Sequence, residues 1–229
     1  MRRHQTVQAV MTKDPVTVGP GTPFKDIAEL LAERAISAVP VVDEAGVPVG
    51  VVSEADLLTK TQYQDRGEPL SRFAGPRRRR EWEKARACTA AELMSPHPMT
   101  IGPDTTLPTA ARELARAGVR RLLVVGDGGR LIGVLARRDL LSPFLRQDEE
   151  ILAEVREQVL RRALWLRPTD VDVTVEDGVV TLTGTVERRS EADIAVRLTH
   201  AVPGVVAVVD KLDHNWDDIA AGKLGAGNL

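Results

Sequence analysis

Two acids stand 83 positions apart and close matching seven-residue stretches: Gly50-Val51-Val52-Ser53-Glu54-Ala55-Asp56 and Gly133-Val134-Leu135-Ala136-Arg137-Arg138-Asp139. An ionised carboxylate only accepts hydrogen bonds, and its two oxygens match two adjacent hydroxyls, so Asp56 and Asp139 both suit a vicinal diol. An acid in the first turn of a helix also stabilises that turn through its negative charge, and the two roles are compatible. Basic residues gather in the second copy only. It holds Arg120, Arg121, Arg137 and Arg138, where the first has Ser37 and Ala38 before its apolar run. A planar guanidinium donates two parallel hydrogen bonds and fits a phosphate; the alternative is a solvated basic edge.

The same offset carries Met11 to Met94, Pro15 to Pro98, Thr17 to Thr100, Gly19 to Gly102, Leu31 to Leu114, Val41 to Val124 and Leu57 to Leu140 without a gap. One register held through so many matches marks an internal duplication. Each copy reads as helix, strand, helix, strand, strand, helix. In the first, Val7 to Met11 suggests a short helix, Pro15 to Val18 an extended piece, and Gly19-Pro20-Gly21 a turn. Thr22 is placed to cap a helix that starts at Pro23. Phe24, Ile27, Ala28 and Leu31 recur at helical spacing. Val39 to Val42 is a continuous apolar run, as a strand buried on both faces requires. Val49 to Val52 follows as the next strand, and Ser53 is expected to cap the helix carrying Asp56. So small a sheet leaves a face bare, which the second copy must cover.

The expected domains are a first repeat over 7–58, a linker over 59–88, a second repeat over 89–141, a third domain over 148–213 and a mobile tail over 214–229. The linker contains Arg77-Arg78-Arg79-Arg80, with Glu81 and Glu83 offsetting part of the charge. The run reads as a solvated loop or helix start, or as a docking patch for an acidic partner. In the third domain Leu152, Val155 and Val159 share a helical face. Val171, Val173 and Val175 alternate with polar residues, Asp177-Gly178 signals a hairpin turn, and Val180, Leu182 and Val186 alternate again. A helix through Ile194, Ala195, Leu198 and Ala201 and a strand over Val205 to Leu212 complete an αββαβ order. The fold class is therefore mixed α/β and α+β.

Composition narrows the function. With 229 residues and 43% of them hydrophobic, the chain can bury ordinary cores, but at 3% aromatic content these must be built from Val, Leu, Ile and Ala. A net charge of −2 argues against a nucleic-acid surface. No apolar run approaches a membrane span, and Met1 to Gln5 do not lead into an apolar signal segment. The lone Cys88 excludes an internal disulfide and fits a reducing cytoplasm. His4, His97, His200 and His214 are scattered, so neither a catalytic constellation nor a metal site is expected. Trp82, Trp165 and Trp216 are too dispersed for a stacking platform.

Residues Val7 to Leu141 resemble a pair of CBS domains, the Bateman module, through Val39-Pro40-Val41-Val42-Asp43, Gly50 with Ser53-Glu54-Ala55-Asp56, and their counterparts at the constant offset. The resemblance implies two tandem repeats packed as a pseudo-twofold, non-catalytic module. It implies a regulatory adenine nucleotide (AMP, ADP, ATP or S-adenosylmethionine) in clefts between the repeats, and no required cofactor. In that family the Ser/Thr-x-x-Asp acid holds the ribose and the early strand frames the base through its backbone. Carried onto this sequence, the expected site comprises Thr17, Val39, Pro40, Ser53, Asp56, Thr100 and Asp139, with Arg120, Arg121, Arg137 and Arg138 at the phosphates. Leu123 stands where Pro40 has its counterpart and Ala136 lacks the Ser53 hydroxyl, which leaves room for one degenerate cleft. Family modules pair into flat discs, so a homodimer is expected, with the Phe24, Ile27, Ala28 and Leu31 face available for contact.

The segment from Asp148 to Asp213 resembles a BON domain through Val173-Thr174-Val175-Glu176-Asp177-Gly178-Val179-Val180-Thr181-Leu182-Thr183-Gly184 and Pro203-Gly204-Val205. BON domains are associated with phospholipid or envelope attachment and ligand sensing. The leading expectation is a cytoplasmic nucleotide sensor acting on an unidentified protein partner, without membrane attachment. The alternatives are a ligand-free dimerisation scaffold and a BON-led lipid-associated protein.

Overall fold

The computed structural model describes residues 5–64, 75–167 and 169–219. They form two compact units that divide after Asp139.

In the first unit, α1 (Val7–Val10) and β1 (Thr12–Lys13) lead to α2 (Phe24–Glu33), β2 (Ala38–Val42), β3 (Pro48–Ser53) and α3 (Glu54–Gln64). Then come α4 (Pro76–Arg86), α5 (Ala90–Leu93), β4 (Ser95–Pro96), β5 (Thr100–Ile101), α6 (Leu107–Ala117), β6 (Arg121–Val125) and β7 (Leu131–Ala136); a 3-10 stretch over Arg137–Leu145 begins in this unit and runs past its end. The continuous apolar run of β2 is buried at Val39, Pro40 and Val41 in succession, as a strand covered on both faces must be. Ile27 and Leu31 of α2 pack with Val39, Val41, Val52 and Leu93. Ile27 and Leu31 of that face are therefore internal, while Phe24 and Ala28 are only partly buried.

Each repeat lends a strand to the other. The first sheet has the order β2-β3-β4 and the second β1-β7-β6-β5. Thr12 pairs with Val134 and Lys13 with Gly133, while Ser95 pairs with Val51 and Pro96 with Gly50. The exchange depends on glycine. A Cβ on Gly133 would lie 2.5 Å from Met11 Sδ and 3.0 Å from the Thr12 carbonyl, and one on Gly50 would lie 2.8 Å from Met94 Cγ. The duplicated glycines thus leave room for the incoming strands.

Two local features differ from the sequence reading. Thr22 does not cap α2: its hydroxyl accepts the Gly19 N–H at 3.1 Å, tying the preceding turn, and Pro23 is the capping residue. Much of the expected linker is helical, with Arg77 to Arg80 in the first half of α4 and Pro76 pre-setting the first turn. Residues 65–74 and the side chains of Arg77 and Arg80 lie outside the described residues, as do His4 and tail residues 220–229.

The second unit has the order α7 (Asp148–Glu154), a π-helical turn over Val155–Ala163, β8 (Val171–Glu176), β9 (Val179–Arg188), α8 (Arg189–His200) and β10 (Ala207–Trp216). Its sheet runs β10-β9-β8, with β8 antiparallel and β10 parallel to β9. Ile151, Val155, Val159, Val173, Leu182 and Ala195 belong to a core of its own. Asp148 accepts the amides of Asp177 and Gly178 at 2.8 and 2.9 Å, fastening the hairpin to the start of α7. The final strand continues past Leu212 through His214 and Trp216, so the first residues assigned to the tail are ladder residues beside Val186 and Arg188. Asp218 then accepts the Ser190 amide and hydroxyl at 3.1 and 2.6 Å, and these bonds hold its carboxyl below the usual range.

Candidate functional site

Where β1 enters the second sheet, the two repeats enclose a cavity of about 480 Å³. Thr12, Asp14, Pro15 and Val16 form one wall, and Ala35, Ile36, Ser37, Ala38, Pro40 and Val51 another. The second repeat contributes Leu123 and Val134 from its sheet, then Arg120, Arg121, Ala136, Arg137, Arg138 and Asp139. Aliphatic residues form one part of the lining and four arginines another. Asp14 and Ala35 reach the wall in left-handed backbone conformations, φ 47° and 49°. Asp tolerates that region better than Ala, which pays a steric cost there.

Asp139 is positioned by the helix start that the duplicated stretch encodes. Its Oδ2 accepts the Ala136 N–H at 2.7 Å, and Arg138 Nε lies 3.7 Å from Oδ1. The backbone bond fixes the orientation of the carboxylate. On the facing side Arg121 Nη2 donates to Ser37 Oγ at 2.6 Å, a bond between the repeats, and Arg137 Nε donates to the Val119 carbonyl at 3.1 Å. Burial, together with the neighbouring charges of Arg138 and Arg120, pushes the Arg121 pKa below its ordinary value, against the opposing effect of Glu54. Crowded cations in a half-buried site favour an anion.

The corresponding acid of the first repeat has other company. Asp56 Oδ2 accepts the Ser53 amide at 2.8 Å and the Ser53 hydroxyl at 2.7 Å, while Oδ1 is ion-paired to Lys84 of α4. Ser53 therefore donates to the acid instead of capping α3 with its oxygen.

Of the residues expected from sequence, Pro40, Arg120, Arg121, Arg137, Arg138 and Asp139 line the cavity. Thr17, Val39, Ser53, Asp56 and Thr100 do not: Val39 is fully buried in the first core and the two threonines are exposed. The strand exchange explains why Asp139 and not Asp56 lines it, because this cavity takes its early strand from the first repeat and its acid from the second. Sequence reasoning missed Thr12, Asp14, Ala35 and Ile36 as lining residues. A signal was present in the offset, which relates Asp14 to His97 and Ala35 to Gly118, all four at positive φ. Among the described residues, no group of three His, Cys, Asp or Glu side chains is placed to hold a metal.

Comparison with known proteins matches the CBS domain model at residues 7–62 and 90–146 and the BON domain model at residues 147–214. The chloroplastic CBS domain-containing protein CBSX2 of Arabidopsis thaliana is 32% identical over 143 residues, 58% of this chain and 60% of that protein. The CBS domain-containing protein YhcV of Bacillus subtilis is 28% identical over 137 residues, 59% of this chain and 82% of that protein. A crystal structure of CBSX2 in complex with AMP superposes with a TM-score of 0.53 at 32% identity, covering 60% of this chain and 94% of that one. The match to CBSX2 takes in about six tenths of that relative's full length.

Proposed function

Since the chain belongs to the CBS-domain family and carries a BON domain behind its paired repeats, we propose that it is a non-catalytic sensor of an adenine nucleotide, bound in the Asp139 cavity. The observation that carries this reading is the meeting, in one cavity, of an oriented carboxylate, aliphatic walls and four arginines. The ribose hydroxyls donate to Asp139, whose carboxylate the Ala136 amide already holds in place. The base lies against Ile36, Val16, Leu123 and Val134, and the phosphate takes bonds from Arg120, Arg121, Arg137 or Arg138. The CBSX2 structure with AMP supports the choice of ligand class. We place Thr17, Val39 and Thr100 outside the contact set and assign Ser53 and Asp56 to the second acid site.

Ligand joins β1 of one repeat to the helix start after β7 of the other, so occupancy changes how firmly the repeats are held together. That change is the signal passed to a protein partner or to the BON domain. The sensor works in a reducing compartment such as the cytoplasm, as its single cysteine suggests. It works as a homodimer, and Leu58, 57% exposed, is a side chain such a contact would cover. Calorimetry of the full chain with AMP, ADP, ATP and S-adenosylmethionine tests the reading. Saturable heat with at least one of them is expected, and no heat with any would leave the pair as a dimerisation scaffold.

A further inference from the structure

The offset maps Thr12, Asp14 and Asp139 of the open cavity onto Ser95, His97 and Asp56. The mapping is physical as well as sequential. Ser95 pairs with Val51 as Thr12 pairs with Val134, and Asp14 and His97 share a left-handed backbone at φ 47° and 56°. Asp56 accepts the Ser53 amide just as Asp139 accepts that of Ala136. The duplication therefore builds a second site around Asp56.

That second site is engaged by the chain itself. Lys84 Nζ is ion-paired to Asp56 Oδ1 and lies 3.2 Å from Ser95 Oγ, so one ammonium spans the acid and the incoming strand. Both side chains are largely covered, with 21% of Lys84 and 13% of Asp56 exposed. Lys60 of α3 donates to the Ala87 carbonyl at 2.8 Å and secures the end of α4 that carries Lys84. An ammonium offers a carboxylate the same kind of donors as a diol, and adds a charge. The duplication supplies no counterpart of this lysine: the position 83 residues on, Arg167, lies outside the second repeat.

We propose that the Asp56 site is a latched second binding site for an adenosine compound, with Lys84 of α4 as the latch. One ligand binds per chain while α4 is docked, and a second enters only when its ribose hydroxyls displace Lys84 from Asp56. Binding there is coupled to release of α4, whereas binding at Asp139 is not. The choice of ligand class rests on the reading of the Asp139 cavity; the latch rests on the Lys84 contacts alone.

The test is calorimetric titration of the full chain with AMP, on wild type, Lys84→Met, Lys84→Gln and the double variant Lys84→Met/Asp56→Asn. Methionine keeps the apolar stem of the lysine and glutamine its polarity, and a thermal melt shows which variant is folded. The wild type is expected to take up one AMP per chain, and either single variant a second, at least tenfold tighter than any second event in the wild type. The double variant should lose that second event, with the first unchanged. The same number of AMP sites in the wild type and the folded Lys84 variants, without a tenfold tightening of the second where there are two, would overturn the latch while leaving the Asp139 reading intact. If the wild type takes up no AMP, the Asp139 reading fails separately: one site gained on replacing Lys84 still supports the latch, and none overturns it.

Discussion

Replacing Asp139 by alanine should separate binding from folding. The substitution removes the acceptor for the ribose hydroxyls, and a hydrogen bond to a charged group is worth about 1.5–3 kcal/mol. Even one such bond lost in full weakens binding by about tenfold or more, since 1.4 kcal/mol is one decade. The same change removes the acceptor of the Ala136 amide at the helix start, a cap worth about 0.5–2 kcal/mol. Asp56→Ala should show the reverse balance. It strips the acceptor from the Ser53 amide, the Ser53 hydroxyl and Lys84 together, leaving a largely covered ammonium without its carboxylate. Its melting temperature should fall further than that of Asp139→Ala, at roughly 2–4 °C per kcal/mol for a chain of this size. Its affinity at the Asp139 cavity should stay within about threefold of wild type, since 1.4 kcal/mol is one decade and no contact there is lost. Calorimetry with AMP beside thermal melts of the three proteins is the assay. A folded Asp139→Ala protein that binds as the wild type does, or equal losses of affinity in both variants, would refute the reasoning.

Gly133→Ala should destabilise the first unit by about 1–3 kcal/mol, because the new methyl meets Met11 and the Thr12 carbonyl where β1 enters the second sheet; an unchanged denaturation midpoint would contradict the strand-exchange account. A fragment of residues 140–229 should melt cooperatively on its own, given its separate core, and should stay in the supernatant when anionic liposomes are floated; co-flotation at physiological salt would favour a lipid role. Asp218→Asn should lower stability at neutral pH. Because the folded carboxyl titrates below its unfolded value of about 3.9, the contribution is complete above that pH and disappears as pH falls through the lowered folded value. A difference between wild type and variant that persists into strong acid would argue against the Ser190 bonds as its cause.

The duplication was legible because one constant offset runs through residues that the core and the turns demand. The offset pairs Asp139 with Asp56, and the arginines stand out because the first copy has Ser37, Ala38, Glu54 and Ala55 in their places. The strand exchange was not legible: β1 and β4 have two residues each, too few to show a period of two. Without it, nothing in the sequence brings Thr12 and Asp14 to the wall of the Asp139 cavity, or keeps Thr17, Val39 and Thr100 out of its lining. Lys84 escaped notice because its partner lies 28 positions away, and α4 carries its charges all round instead of on one face. The extension of β10 was hidden by Asp213, His214 and Asn215, which break the apolar alternation although their backbone stays in the ladder. The face of α2 was read correctly as apolar, but periodicity does not say whether a neighbour within the chain or a second copy covers it.

A crystal structure of the full chain grown with AMP tests the central claim most directly. The account predicts the nucleotide between the repeats with its ribose hydroxyls on Asp139, its base against Ile36 and Leu123, and its phosphate within reach of Arg120, Arg121, Arg137 or Arg138, while Lys84 remains on Asp56. Nucleotide bound at Asp56 with the Asp139 cavity empty, or a ribose held away from both acids, would contradict it.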